Sequence, residues 1–282
     1  MSPALVAARA GLSRGRIEFE QTVTRPGDLI SFLLMTGGFL TAVVLNRQAH
    51  VPGTQFSLGT ATLVSVLGLD IGMYGIMFMA DRLVADREDG TLLRAKAIPN
   101  GMLGYLIGKV VNISAQIVFA VAITLFAGAF LVTGLAIGNP GSWLTLAWVL
   151  VLGLLSTVPL GAVLGSLFPD TRTTALLLLL LGGLAAISGI FDPITRLPVF
   201  LQWTGQVFPL YWLGLGIRSA LLPHALAAAE IGHSWRHPAT FGVLSAWAVA
   251  GLVLAPIVLR RTARRESGSS VAARREKAMQ RL

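Results

Sequence analysis

Several runs of about twenty residues in this chain carry almost no charge. A helix of about 20 apolar residues is what crosses a hydrocarbon layer of roughly 30 Å. Leu58 to Ala80 contains one charged residue, Asp70, and Leu103 to Val132 contains one, Lys109. Apolar residues make up 54% of the chain and mean hydropathy is +0.73, which excludes a water-soluble globule. The alternating ten-residue segments of a membrane β-barrel are absent. The expected fold class is an all-α membrane protein. It has six transmembrane helices, an N-terminal amphipathic interfacial helix and a re-entrant helix pair before the last span.

In chain order, residues 1–27 read as an amphipathic cytoplasmic segment. Leu5, Ala8, Leu12, Phe19 and Val23 share one side of a helical wheel, Arg14 and Glu18 lie opposite, and Gly11 and Gly15 weaken the helix. Pro26-Gly27-Asp28 breaks the chain, with Asp28 placed to cap the next helix. The transmembrane domain, 28–259, has spans at about 29–45, 58–80, 103–132, 143–168, 174–191 and 240–259. Between the last two, Leu197–Val207 and Leu210–Leu222 are too short to cross, are flanked by Pro198, Pro209 and Pro223, and carry Trp203, Tyr211 and Trp212. They predict a re-entrant pair over 197–222. Residues 260–282 form a basic cytoplasmic tail. The pairs Gly68/Gly72, Gly104/Gly108, Gly134/Gly138 and Gly161/Gly165 have the small-x-x-x-small spacing that lets helices approach closely.

The net charge of +9 is a topology signal. Eighteen of the 22 Lys and Arg fall in the N-terminal segment, in residues 81–99, at Lys109 and Arg172, and in the tail; Arg47, Arg196, Arg218 and Arg236 fall on the other face. The positive-inside rule then places both termini in the cytoplasm of a multi-pass cell (plasma) membrane protein in contact with membrane lipids. No folded basic domain offers a nucleic-acid surface, so no nucleic acid is expected. The first 27 residues hold no apolar core of a cleavable signal peptide. The chain has no cysteine, which excludes disulfides and thiolate chemistry.

One stretch breaks the apolar pattern. Asp81 to Pro99 holds eight charged residues out of nineteen, in a chain where charged residues are 12% of the total. Each charge at a bilayer centre costs about 2.5–3.5 kcal/mol. The stretch therefore leaves the hydrocarbon as a loop or surface helix and faces something soluble. Arg82, Asp86, Arg87, Glu88, Asp89 and Arg94 are available to pair across a wet interface. Gly90-Thr91 redirects the helix.

The run Asp86-Arg87-Glu88-Asp89-Gly90-Thr91-Leu92, then Pro99, then Gly108-Lys109, resembles the pattern of ABC type 2 permeases. A second block agrees: Leu197-Pro198, Leu201-Gln202, Phe208-Pro209-Leu210-Tyr211 and Arg218 resemble the segment before that family's last span. Together with the six-span layout, the resemblance covers nearly the whole chain. In texture, as in Phe208-Pro209-Leu210-Tyr211-Trp212, the chain is similar to daunorubicin-type drug-resistance permeases of actinobacteria. One position departs: the family often carries Glu where Leu93 stands.

The resemblance implies the membrane half of an ATP-driven exporter of lipophilic or amphiphilic small molecules. Asp86, Arg87, Glu88, Asp89, Gly90 and Thr91 would then couple it to a separate ATP-binding cassette ATPase, beside a second permease copy or a related permease. The residues agree. Gly104 to Val110, the nearest approach to a phosphate-binding loop, has the wrong spacing and lacks the Ser or Thr that holds magnesium. ATP and Mg therefore belong to the partner, with no cofactor on this chain. Export of a lipid or lipid-linked glycan is the alternative cargo. A membrane-embedded enzyme using Asp70 or the histidines is the third reading.

Inside the spans, Asp70, Asn112 and Gln116 are the candidate substrate pathway. Asp70 has a second set of readings: a pair with Lys109 or a dimer mate, or a hydrogen bond to a neighbouring helix. Asn112 and Gln116 lie one turn apart and equally suit interhelical hydrogen bonding. Glu230, His233 and His237 have a spacing open to zinc, which Gly232 and Pro238 oppose. Asp192 and Arg196 are spaced to pair, and Arg218 reads as a snorkelling side chain.

Overall fold

The computed structural model describes residues 2–50, 56–167, 171–191 and 193–265. Their regular structure is helical throughout. In chain order the α-helices are α1 (Pro3–Thr24), α2 (Pro26–Asn46), α3 (Leu58–Leu69), α4 (Gly75–Glu88), α5 (Thr91–Lys96), α6 (Gly101–Leu131), α7 (Pro140–Leu167), α8 (Thr171–Ala186), α9 (Val199–Val207), α10 (Pro209–Leu221) and α11 (His237–Arg265). Short 3-10 turns at Ile194–Arg196, His224–Ala229 and Ile231–His233 flank α9 and α10. Among the described residues, four helices are long and apolar enough to cross a membrane: Leu58–Glu88, Gly101–Leu131, Pro140–Leu167 and His237–Thr262. They stand where the second, third, fourth and sixth spans are expected. Among the described residues, α2 and α8 contribute the shorter apolar helices Thr36–Asn46 and Ala175–Ala186.

Helix α7 is the centre of the bundle. It packs on α11, on α4 and on α10. Its glycines set the spacing: a Cβ at Gly161 would lie 2.5 Å from the Ile76 carbonyl oxygen, and one at Gly165 would lie 2.6 Å from the Ala80 Cα. Removing the side chain lets the two backbones touch, which is how helices associate tightly without a solvent-driven force between them. On α10, Gly68 faces the Gly214 backbone, where a Cβ would lie 3.4 Å from the Gly214 Cα, and Gly72 faces the Leu210 side chain. Helix α10 is almost wholly enclosed, with Leu210, Tyr211, Leu213, Leu215 and Ile217 shut off from solvent. Helix α9, in contrast, turns Val199, Phe200, Trp203 and Val207 outward. The two short helices expected within 197–222 are both present.

Several local expectations are corrected. The helix that holds the expected second span continues past Ala80 to Glu88, so nearly half of the charged stretch is helical. Helix α2 starts at Pro26, with Arg25 at the cap position, so Asp28 lies inside the helix and not at its cap position. Gly134 and Gly138 form no helical pair, because α6 ends at Leu131 and Gly134 has φ +85°, a left-handed conformation suited to a turn. Asp192 and residues 266–282 of the tail lie outside the described residues.

Helix α1 differs most in the face it buries. Gly11 and Gly15, read as helix-weakening, are its most enclosed residues, while Leu5, Leu12 and Ile17 are exposed. A Cβ at Gly11 would meet the Gly104 carbonyl oxygen at 2.5 Å, and one at Gly15 would meet the Gly108 carbonyl oxygen at 2.6 Å. The amphipathic helix therefore lies directly on the backbone of α6. Its exposed leucines and Ile17 are left for another apolar surface.

Candidate coupling site

The charged stretch folds as the end of α4, a tight reversal and the short α5. Asp89 lets the chain restart: its carboxylate accepts from the Thr91 amide at 2.8 Å, satisfying a donor at the start of α5. Gly90 sits between them at φ +79°, where a side chain would be strained. Arg94 donates to the Thr91 hydroxyl at 3.1 Å. Leu92 and Ala95 fix α5 to the core by burial. Beyond it, Ala97, Ile98, Pro99 and Asn100 are exposed, and Ile98 stands 62% open to solvent.

The helical period sorts the charges into two sets. Asp81, Arg82, Glu88, Asp89, Arg94 and Lys96 face outward. Asp86 and Arg87 turn inward and are only 8% and 4% exposed. This corrects the expectation that Asp86, with five other charges of the stretch, is available to pair across a wet surface, because Asp86 is already engaged within the chain. Its Oδ2 accepts from the Tyr105 hydroxyl at 2.7 Å and lies 3.0 Å from Lys109 Nζ.

Lys109 is the hub. It sits about two turns into α6 and is 7% exposed. Its ammonium is held by Asp86 of α4 on one side and by Glu18 of α1, 3.2 Å away, on the other. Glu18 also accepts from Arg14 Nε at 2.8 Å and from Asn112 Nδ2 at 3.3 Å. Gln116 Nε2 donates to Asn112 Oδ1 at 2.8 Å and extends the chain one turn further along α6. Two cations thus meet two carboxylates at the junction of three helices, and buried charge is tolerated only when paired and hydrogen-bonded in this way. Burial pushes the Glu18 carboxyl up. Hydrogen bonds from Arg14 and Lys109 and the attraction of both cations outweigh it and hold the pKa below its ordinary value.

Asp70 is elsewhere. It opens a π turn, Asp70–Tyr74, that joins α3 to α4, and it is 3% exposed. The wider turn upsets the regular hydrogen-bond ladder, and Thr157 Oγ1 of α7 donates to the Ile71 carbonyl at 3.2 Å. Among the described residues, Asp70 has no hydrogen bond or ion pair, and Lys109 is committed to Asp86 and Glu18. The Asp70–Lys109 pair considered from sequence does not form. The structure brings Asn112 and Gln116 together with Glu18, and keeps Asp70 apart from that network.

Sequence reasoning missed Glu18, Tyr105 and the π turn. A lone Lys inside an apolar helix was the usable signal, since it requires an acid within reach, and Glu18 and Asp86 are acids near the ends of the neighbouring helices. At the other end of the bundle, Arg218 does not snorkel: its Nε donates to Glu230 Oε1 at 2.6 Å and its Nη1 to the Gly189 carbonyl at 3.0 Å. Glu230 is committed to that pair, and His233 Nδ1 lies 2.7 Å from the Ala228 carbonyl oxygen. No group of three metal-ligating side chains gathers among the described residues.

The profile of the ABC-2 family transporter proteins matches residues 46–255, most of the chain. The chain belongs to the ABC-2 transporter family. The matched span contains Asp86, Lys109 and the exposed tip, whereas Glu18 and all of α1 precede it. No curated protein matches this ABC-2 chain closely.

Proposed function

We propose that this chain is the membrane subunit of an ATP-driven exporter that moves lipophilic or amphiphilic small molecules, of the drug-resistance type, out of the cell. Membership of the ABC-2 family supports a transport role and implies a partner ATPase. The observation that carries the coupling is the Lys109 junction lying directly behind the exposed tip, where one ammonium joins α1, α4 and α6. A partner that grips Glu88, Asp89, Arg94 and Ile98 pushes on α4 and α5. Because Asp86 and Glu18 share Lys109, that push moves α1 and the start of α6 together. Two copies, or one copy with a related permease, would enclose the pathway and alternate between inward and outward access as the ATPases close and open.

The chain crosses the membrane six times in this reading, with α2 and α8 as the first and fifth spans and α9–α10 as the re-entrant pair. Both termini face the cytoplasm. ATP and Mg are held by the partner. Asp86 and Arg87 support the coupling segment from within, and Glu88, Asp89, Gly90 and Thr91 shape its docking surface. Asp70, Asn112 and Gln116 are the proposed polar groups of the pathway.

The decisive experiment is capture of the chain from mildly solubilised native membranes. An ATP-binding cassette polypeptide should be retained with it, and the double charge reversal Glu88→Lys with Arg94→Glu should release that polypeptide while the chain remains folded. Retention of the ATPase by the reversed variant would remove the tip from the docking site. Absence of any such polypeptide would remove the exporter reading.

A further inference from the structure

At the end of the bundle opposite Asp86 lies a cavity of about 140 Å³, room for four to five waters at roughly 30 Å³ each. Leu58, Ala61 and Ser65 of α3 line it, about 25 residues or some 37 Å along the Leu58–Glu88 helix from the coupling site. Arg218 and Glu230 also line it, and both are at least nine-tenths buried. Their ion pair is single-stranded. Nε binds Oε1 at 2.6 Å, while among the described residues Arg218 Nη2 and Glu230 Oε2 have no hydrogen-bond partner. An arginine fork facing a carboxylate ordinarily closes with two parallel bonds. Here one donor and one acceptor of opposite charge remain, both sealed from solvent, and atoms left in that condition are unfavourable.

The remaining walls are apolar. Phe191, Leu226 and Trp235 line the cavity, and Phe191 is 67% exposed on the outside. Pro193 and Arg196 line it too, and the chain runs from them into α9, whose Val199, Phe200 and Trp203 face outward. The mouth therefore opens beside an exposed apolar and aromatic surface, the kind that lies at a membrane–water boundary.

We propose that this cavity is a lipid-headgroup site for a zwitterionic phospholipid with a primary ammonium, such as phosphatidylethanolamine. On binding, the Arg218 and Glu230 side chains turn toward the cavity, so that the phosphate accepts from Arg218 Nη2 and the ammonium donates to Glu230 Oε2, and one headgroup satisfies two atoms that are closed off and unpaired in the described conformation. A quaternary ammonium has no N–H to donate, and a purely anionic headgroup meets the Glu230 carboxylate as a like charge. The apolar rim selects the membrane-borne form over the free headgroup. The inference rests on the membrane placement proposed above and is independent of coupling to an ATPase.

The test uses the full chain in detergent with an equimolar mixture of phosphatidylethanolamine, phosphatidylcholine and phosphatidylglycerol, and counts retained lipids by native mass spectrometry. The expected result is about tenfold preferred retention of phosphatidylethanolamine over phosphatidylcholine, the effect of one charge-assisted hydrogen bond. E230Q should remove most of that preference, and R218Q should lower phosphatidylethanolamine retention. Equal retention of the three lipids by the unaltered chain overturns the proposal and marks the cavity as a packing gap. An unchanged preference in folded E230Q overturns it as well. Binding of free O-phosphoethanolamine without retention of the lipid overturns the lipid assignment. Should either variant fail to fold, the comparison of lipids on the unaltered chain decides alone. Retention of an ATPase is not a readout here, so this inference and the transport reading fail separately.

Discussion

Lys109 illustrates how far a single side chain can organise a site. Its ammonium balances Asp86 and Glu18 at once. Lys109→Met keeps the apolar stem and removes the charge, which leaves two carboxylates facing each other across a mostly dry junction. The expected loss is about 3 kcal/mol, at the low end for breaking a buried pair because Glu18 keeps some solvent contact. A thermal melt of the detergent-solubilised chain measures it. Glu18 adds a pH dependence of defined sign. Its folded pKa lies below the ordinary carboxylate value, so its stabilisation is full above the unfolded pKa and is lost as pH falls through the folded one. Protease protection of α1 should therefore decrease on acidification through the lower carboxylate range. Protection in the Glu18→Gln variant should start lower and change less.

Among the elements, α1 shows what glycine does in a helix that looks poorly designed by propensity. Gly11 and Gly15 sacrifice helix stability, and in return the α1 backbone comes against Gly104 and Gly108 of α6. That approach carries Glu18 to within reach of Lys109. Gly15→Val places side-chain atoms where the Gly108 carbonyl and Val111 now sit. Overpacking of this kind costs about 1–3 kcal/mol. The expected outcome is detachment of α1, read as proteolytic cleavage within residues 3–24 while the rest of the chain stays protected. Cleavage no faster than in the unaltered chain would show that α6 can yield. The π turn is a second lesson at this scale. Its pattern in sequence is an ordinary apolar helix containing one acid, and only the packing of Thr157 against Ile71 and of Gly75 against Thr157 reveals the extra residue in the turn.

At the scale of the whole molecule, the long Leu58–Glu88 helix joins two ends with different chemistry. One end carries the charged reversal and the Lys109 junction, and the other carries the Arg218–Glu230 pair and its cavity. The proposed topology puts these ends on opposite sides of the membrane. The chain has no native cysteine, so single-cysteine labelling needs no prior substitution. Ala97 and His224 are both exposed. Ala97→Cys should react with a membrane-impermeant maleimide only after the cytoplasmic face is opened, and His224→Cys should react in intact cells. Reaction of Ala97→Cys in intact cells would invert the topology and remove the docking proposal with it.

The residues alone determined the solvent, the helical class, the helix pair within 197–222 and the ABC-2 family, because hydropathy and short ordered motifs are local properties that survive any arrangement of neighbours. Asp86-Arg87-Glu88 was recognisable as one motif for that reason. Which of its charges faces outward and which faces the core was not, since that depends on how α4 is rotated against α6 and α7. The partners of Lys109 and Arg218 depend in the same way on distances between helices far apart in sequence. Those distances are set by backbone contacts at glycines, where the sequence offers no side chain to read.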